Sequence, residues 1–429
     1  MIHHKKRRMG VLGALALALT LGLATACSSG GGSASPSSGG GSGSGHVTLT
    51  YWNGFTGPDE PAVQALVAQF NKSHPSITIQ MSIMPWDAFY EKLLPALAAG
   101  NGPNLVAMDT QQLPQYATKN VFLPLTSYYA DQANDTSALV AGAVAGTKVG
   151  GTEYAVPANF APLMLYWNKT LFAKAGIAGP PANWAQWESD VVKLSHGGKS
   201  PQYGIALAEN NTIPMWPILL WGNGGGVTNA GATQGMLSSP ASVSAVSQWS
   251  NLVIKDGIAP PNITGAEADS LFQAQKAAME MNGPWATTGY KTAGVDFGLA
   301  PIPAGPTKTV TLADVVAMSL NAKDSPAQVT AAETFLTRWN SKNSQIYYAV
   351  HTGFVPTRTD VTAAELAANP DVAQFESVGD TAQPYNLGTQ YTNIETDTWE
   401  PAIEKILEGA PVASTLNGAN SQINGYLGG

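Results

Sequence analysis

The sequence predicts an α/β protein built on open sheets and long enough for two domains. Three observations carry this: a β-α-β unit at the start of the folding segment, a repeat of that alternation further on, and a long stretch, 46–429, in a chain that is 44% hydrophobic with 11 Trp.

Taken in order, "HVTLTYW" reads as a strand and "PDEPAVQALVAQFNKSH" as the helix after it. Pro61 suits a first helical turn, and Val63, Leu66, Val67 and Phe70 recur at the i, i+3, i+4, i+7 spacing of one buried face. "SITIQMSIM" alternates, with Ile77, Ile79, Met81 and Ile83 on one side, so strands 47–52 and 77–83 should be parallel with a right-handed crossover. "DAFYEKLLPALAAG" reads as a helix ending at Gly100, and "NLVAM" as a buried strand ending at Asp109. Ligands of open α/β sheets bind beyond the carboxyl ends of strands. Trp52-Asn53 and Asp109 fall at such ends and are the first functional candidates.

Further on, "EYAVPANFAPLMLYWNKTLFAKAG" runs strand, loop, strand, helix. "MWPILLWGNGGG" is rich in Gly and Trp, and its "WGNGGG" reads as a turn. "SVSAVSQWSNLVIKDG" is helical, and "LFQAQKAAMEMNGPW" is a helix passing into a short strand "AAMEM". "VDFGLAPIP" and "TLADVVAMSL" read as strands, and the end of the chain is mainly helical. Trp167, Trp184, Trp187 and Trp249 lie within helix or strand patterns and are expected to pack.

The first 26 residues have the form of an export signal: Lys5, Lys6, Arg7 and Arg8, then apolar Val11 to Leu23, then Ala24-Thr25-Ala26. That apolar run is shorter than the roughly 20 residues a membrane helix needs. Cleavage before Cys27 removes four of 21 Lys+Arg, leaving 17 against 29 Asp+Glu, a net charge of −12. An acidic surface repels nucleic acid and anionic lipid. Cys27 is the only cysteine, which excludes an internal disulfide. Ser28 to Gly45 is entirely Ser, Gly, Ala and Pro and is expected to be a flexible linker.

Catalytic and cofactor signatures are lacking. His3, His4, His46, His74, His196 and His351 are scattered, and neither HExxH nor a cysteine cluster offers a metal site. There is no GxSxG elbow and no GxxxxGK phosphate loop. Paired carboxylates could serve a glycoside hydrolase, but the acids here are dispersed. The expectation is a protein without metal or cofactor, and not an enzyme.

The segments "YWNGFTGPDEPAVQALVAQFNKSHPSI", "KLLPALAAGNGPNLVAMD", "YAVPANFAPLMLYWNKTLFAKAG", "KAAMEMNGPW", "FGLAPIPAG" and "GFVPTR" occur in the order found in family 1 extracellular solute-binding proteins, which the chain resembles over nearly all of 46–429. These proteins serve ABC importers, usually for sugars. The resemblance implies a periplasmic-binding-protein-like fold (type II): two α/β lobes, joined by crossing hinge segments, that close on a ligand in the cleft. Lobe 1 would take 46–157 and 311–357, and lobe 2 would take 158–310 and 358–429. The cysteine after the signal resembles a lipoprotein lipobox, which implies lipidation of Cys27, membrane anchoring on the outer face of the cytoplasmic membrane, and a monomer that hands its ligand to a permease.

Carried over by position, Trp52, Asn53 and Phe55 match a ligand-contacting loop, and Asp109 a polar or aromatic contact. Asn159 and Phe160 match an interlobe strand. Trp285 matches a sugar-stacking tryptophan, and Trp399 a second. Trp221 and Asn223 are added mainly from composition. The residue types suit a pyranose: a flat aromatic buries its C–H face, and carboxylates and amides bond its hydroxyls. Only two arginines follow the signal, Arg338 and Arg358. Because anions are typically held by bidentate Arg, the shortage favours a neutral mono- or oligosaccharide. The alternative is a glycerol phosphodiester or glycerol 3-phosphate, with Arg358, near the hinge, as anion contact or as a brace between lobes.

Overall fold

The structure is a computed structural model and describes residues 45–428. The export segment, Cys27 and nearly all of the Ser/Gly linker lie outside the described residues. Among those residues no helix is long and apolar enough to cross a membrane.

The opening β-α-β unit forms as the periodicity predicts. Strand Val47–Asn53 runs parallel to Ile77–Ile83, with Val47 opposite Ile77 and Asn53 opposite Ile83. Helix Glu60–Ser73 joins them, Pro61 sits in its first turn, and Val63, Leu66, Val67 and Phe70 are buried on one face. Helix Trp86–Ala99 ends at Gly100, whose φ of 79° is the left-handed conformation that glycine tolerates best. Strand Leu105–Asp109 adds to the sheet parallel to the first strand.

The sheet is completed from far along the chain. Val316–Leu320 pairs antiparallel with Leu105–Asp109, placing Val316 opposite Asp109, and Val156–Pro157 pairs beyond it. Strand Val316–Leu320 joins this sheet because its five buried residues need the interior position that Leu105–Asp109 leaves open. Around it, Leu49, Tyr51, Val63, Phe70, Phe335 and Trp339 form one core.

A second core is separate in sequence and space. Met164–Asn168 lies between Phe297–Ala300 and Met279–Asn282, antiparallel to both. Against this sheet pack Trp184, Trp187 and Trp249, with ring centroids 5.4 Å (Trp184–Trp249) and 4.6 Å (Trp187–Trp249) apart. The Gly/Trp-rich segment begins with a helix, Met215–Gly222, in which all eight residues are buried, and the turn expected at 221–226 follows from its end. A helix apolar all round shows no stripe, so periodicity does not reveal it.

Three extended segments connect the cores. Ala161–Pro162 pairs with Thr311–Asp314, and Phe160 bridges to Val355. The bonds are dense: Ala158 N to Val316 O at 2.8 Å, Val316 N to Asn159 Oδ1 at 2.9 Å, and Val355 N to Phe160 O at 3.1 Å. Trp339 Nε1 also donates to Ala158 O at 2.9 Å, tying the first segment to the core of lobe 1.

Arg358 secures the third segment. Its Nε and Nη2 donate to the two oxygens of Asp360 at 2.8 Å each, Nη2 also to Asp135 Oδ2 at 2.6 Å, and Nη1 to Asn340 O at 3.0 Å. All three nitrogens are engaged within the protein. A lysine, being a point charge, reaches one of these acceptors where the planar fork reaches three residues. Arg358→Lys should therefore cost about 1–2 kcal/mol and lower the thermal midpoint by about 1–3 °C. An unchanged midpoint by calorimetry would show that the clamp contributes nothing.

Candidate functional site

Two aromatic side chains face the cleft from strand ends of the same local design. Strand Val47–Asn53 ends in Asn53-Gly54, and strand Met279–Asn282 ends in Asn282-Gly283. Each asparagine turns the chain by accepting a backbone N–H: Asn53 Oδ1 from Phe55 at 3.2 Å, and Asn282 Oδ1 from Gly283 at 2.8 Å. Each glycine is then covered by an indole. A Cβ on Gly54 would lie 2.0 Å from the Trp86 ring, and one on Gly283 would lie 2.1 Å from the Trp285 ring. Glycine is required at both positions because a ring occupies the space of the side chain.

Trp86 and Trp285 line one cavity of about 710 Å³, within the roughly 300–1,000 Å³ of small-molecule sites. Trp86 stacks on Tyr90 with centroids 5.7 Å apart and meets Phe55 edge-on at 5.8 Å. Trp285 tilts over Phe354 at 5.9 Å. The hinge supplies Asn159, Asp314 and Val316. Gln112 and Tyr116 follow the third strand, and Asn211, Thr212 and Tyr391 come from segments beyond residue 200. The rims touch where Thr392 Oγ1 donates to Gln115 Oε1 at 3.1 Å and where Gly289 lies against Pro58.

Of the residues singled out from sequence, Phe55, Asp109, Asn159 and Trp285 come together on this cavity. The others do not line it. Trp52 lies on the alternate face of its strand and packs with Phe89, Leu93 and Leu97 beneath helix Trp86–Ala99. Asn53 is buried in the turn it makes. Phe160 is in the hinge pairing with Val355. Trp221 is in the second core, edge-on to Tyr385 at 5.9 Å, and Asn223 ends the buried helix and bonds Ala241 O at 2.8 Å. Trp399 is 2% exposed in that same core. The wider π turn Glu395–Trp399 directs Trp399 inward and leaves Glu395, Thr396 and Glu400 at the cavity. Arg358 lies off the cavity.

Trp86 was legible but missed. It follows the carboxyl end of strand Ile77–Ile83, the position that identified Asp109. Asp314 closes strand Thr311–Asp314 in the same way. Tyr391, Glu395 and Glu400 carry no such signal, because only the irregular packing of the last hundred residues brings them to the cleft.

The cavity is acidic. Asp59, Asp87, Glu91, Asp109, Asp269, Asp314, Glu395 and Glu400 line it, and no Lys, Arg or His does. Burial raises Asp59 and Asp109 to about 6 and Glu400 to about 7. Asp314 is pushed well up by burial and then by Asp109 beside it, and Glu395 by burial and then by Glu400. The Tyr391 hydroxyl is raised by burial and then by Glu395, Asp109, Glu400 and Asp314, all of which line the same cavity. Tyr90 donates to Asp109 Oδ2 at 2.5 Å. Among the described residues no group of His, Cys, Asp and Glu is arranged to hold a metal ion.

Comparison with known proteins gives a consistent result. The profile of the bacterial extracellular solute-binding proteins matches residues 56–346. A binding protein of Brucella abortus is 27% identical over 343 residues, 77% of this chain and 80% of the relative. The galactooligosaccharide-binding protein of Bacillus subtilis is 24% identical, covering 79% of each. An ABC substrate-binding protein of Listeria monocytogenes, solved in complex with cycloalternan, superposes with a TM-score of 0.79 at 22% identity, over 89% of this chain and 99% of that one.

The acids of the cavity also set the pH dependence of the ligand-free fold. A carboxyl held near 6 or 7 when folded and near 4 when unfolded keeps its proton longer in the folded chain. Stability is therefore fullest below that window and falls as pH rises through it. The thermal midpoint of the ligand-free protein should rise as pH is lowered from 7.5 to 5.0, and Glu400→Gln should flatten that slope. A midpoint that falls over the same range would contradict the burial of these acids.

Proposed function

Since the chain belongs to the bacterial extracellular solute-binding proteins, we propose that it is the substrate-binding component of an ABC importer and captures a saccharide by closure of two lobes. The lobes are assigned to 46–157 with 311–357, and to 158–310 with 358–429. The observation that carries the ligand class is the cavity wall: two indoles seated on glycine, with carboxylates and amides between them and no cation. A pyranose offers an apolar face to an indole and a rim of hydroxyls to Asp109, Gln112 and Asn211. An anionic ligand such as a glycerol phosphate lacks a partner in this wall, and Arg358 is bonded to Asp135, Asp360 and Asn340 instead. The volume admits more than one ring, consistent with a short oligosaccharide.

The family is extracellular, so the chain is an exported protein. Its placement at the membrane is our inference from Cys27: a lipid on that residue, with the Ser/Gly linker after it, would hold the binder near its permease. Cys27→Ser should abolish labelling by a radioactive fatty acid and release the protein from the membrane fraction, with binding intact. Retention on the membrane without label would refute the anchor.

A thermal-shift screen over sugars identifies the ligand, because a ligand that binds only the folded chain must raise its melting temperature. With that sugar, Trp285→Ala should weaken binding at least tenfold in a fluorescence titration while circular dichroism stays unchanged. The sugar should be recovered chemically intact. Unchanged affinity would remove Trp285 from the site, and release of reducing ends would mark a hydrolase.

A further inference from the structure

The charge of the cavity goes beyond what hydroxyl recognition needs. Eight carboxylates reach it, and none belongs to an ion pair among the described residues; the pairs that occur there join Lys148, Lys169, Lys291, Lys342 and Arg358 to other acids. Asp314 is 8% exposed, faces the cavity, and receives no hydrogen bond from any side chain among the described residues. Asn159 is 1% exposed, lines the same floor, and its Nδ2 has no partner. A buried acid bonded by no side chain and a buried amide with a free donor on the same cavity are groups left for a ligand.

A sugar hydroxyl can donate to a carboxylate, but it leaves the negative charge in place. Asp109, Asp314, Glu395 and Glu400 all line the cavity, and burial without a cation in its wall makes them hold protons in the empty cleft. A group that lets them ionise together inside the cleft must be positive. No group of His, Cys, Asp and Glu among the described residues is arranged to hold a metal ion, so the positive charge is assigned to an organic ammonium. The amides Gln111, Gln112, Asn159 and Asn211 and the two indoles require that this cation also carry hydroxyls and an apolar face.

Building on the saccharide reading, we propose that the ligand is an amino sugar, a saccharide with a protonated primary amine, whose ammonium sits among Asp109, Asp314, Glu395 and Glu400 while a ring lies on Trp285. The ammonium presents three donors to these acids, of which Asp109 already accepts from Tyr90 and Glu395 from Tyr385. Closure then draws the Asp109 and Asp314 side of the cleft onto the Glu395 and Glu400 side through one positive charge. A neutral sugar would leave these acids holding their protons, with no opposite charge to draw the two sides together.

The test is calorimetric titration of the protein with matched sets differing only at the substituent on C2. Glucosamine and galactosamine, their N-acetyl forms, and glucose and galactose make one set, and the corresponding β-1,4-linked disaccharides another; spermidine is the cation without a sugar. The amine should bind at least tenfold more tightly than both its acetamido and its hydroxyl counterparts, and 0.5 M NaCl should weaken the amine more than either. Glu400→Gln and Asp314→Asn should each reduce that preference to less than threefold; should Asp314→Asn disturb the hinge, Glu400→Gln gives the same readout from the opposite wall. Equal or tighter binding of the acetamido or hydroxyl sugar overturns the amine while leaving the saccharide reading in place. Binding of spermidine alone, or of no saccharide, overturns both.

Discussion

Three extended segments, 158–163, 311–316 and 354–357, carry the chain between its two cores, and the rest of the molecule depends on how they bond to one another. Ala158, Asn159 and Phe160 are held by Val316 and Val355 through backbone bonds and one asparagine side chain. This junction is narrow enough to bend and too well bonded to unravel, the combination that hinge closure needs. The same residues also floor the cavity, with Asn159, Asp314 and Val316 facing it. A ligand pressing on the floor therefore presses on the hinge, so binding and closure share one set of atoms.

The cleft stores unfavourable electrostatics that the cores offset. Trp187, Trp249 and Trp339 are buried in well-packed cores away from the ligand, whereas the walls hold acids kept largely uncharged by burial. Lone carboxylates in such surroundings destabilise a fold. Their gathering at one cavity, with the cations paired elsewhere, places that cost where a ligand can relieve it. The two indoles follow the same logic. Each is fixed by its glycine seat before a ligand arrives, so little side-chain freedom is lost on binding.

Much of the first lobe was legible along the chain because its elements are local and amphipathic. Helix Glu60–Ser73 buries the face its spacing announces, and the strand pair 47–53 and 77–83 follows from alternation. Met215–Gly222 was not legible, since eight buried residues leave no polar face to mark a helix. Among the site candidates, Asp109 and Trp285 sit at strand ends, where direction is set by the sheet. Trp52, one residue before such an end, points to the opposite face, a one-residue distinction that a period of two makes decisive.

By itself the sequence determined the α/β class, the order of the early elements, the family resemblance and the scarcity of arginine that argues against an anion. These follow from local spacing and composition. Tertiary structure alone decided that Val316–Leu320 completes a sheet begun at Val47, that Trp399 enters the core while Glu395 and Glu400 reach the cavity, and that eight acids share a cavity in which no cation from the described residues stands. Those outcomes depend on contacts between segments far apart in the chain, where burial and the mutual repulsion of charges act only after the fold has brought them together.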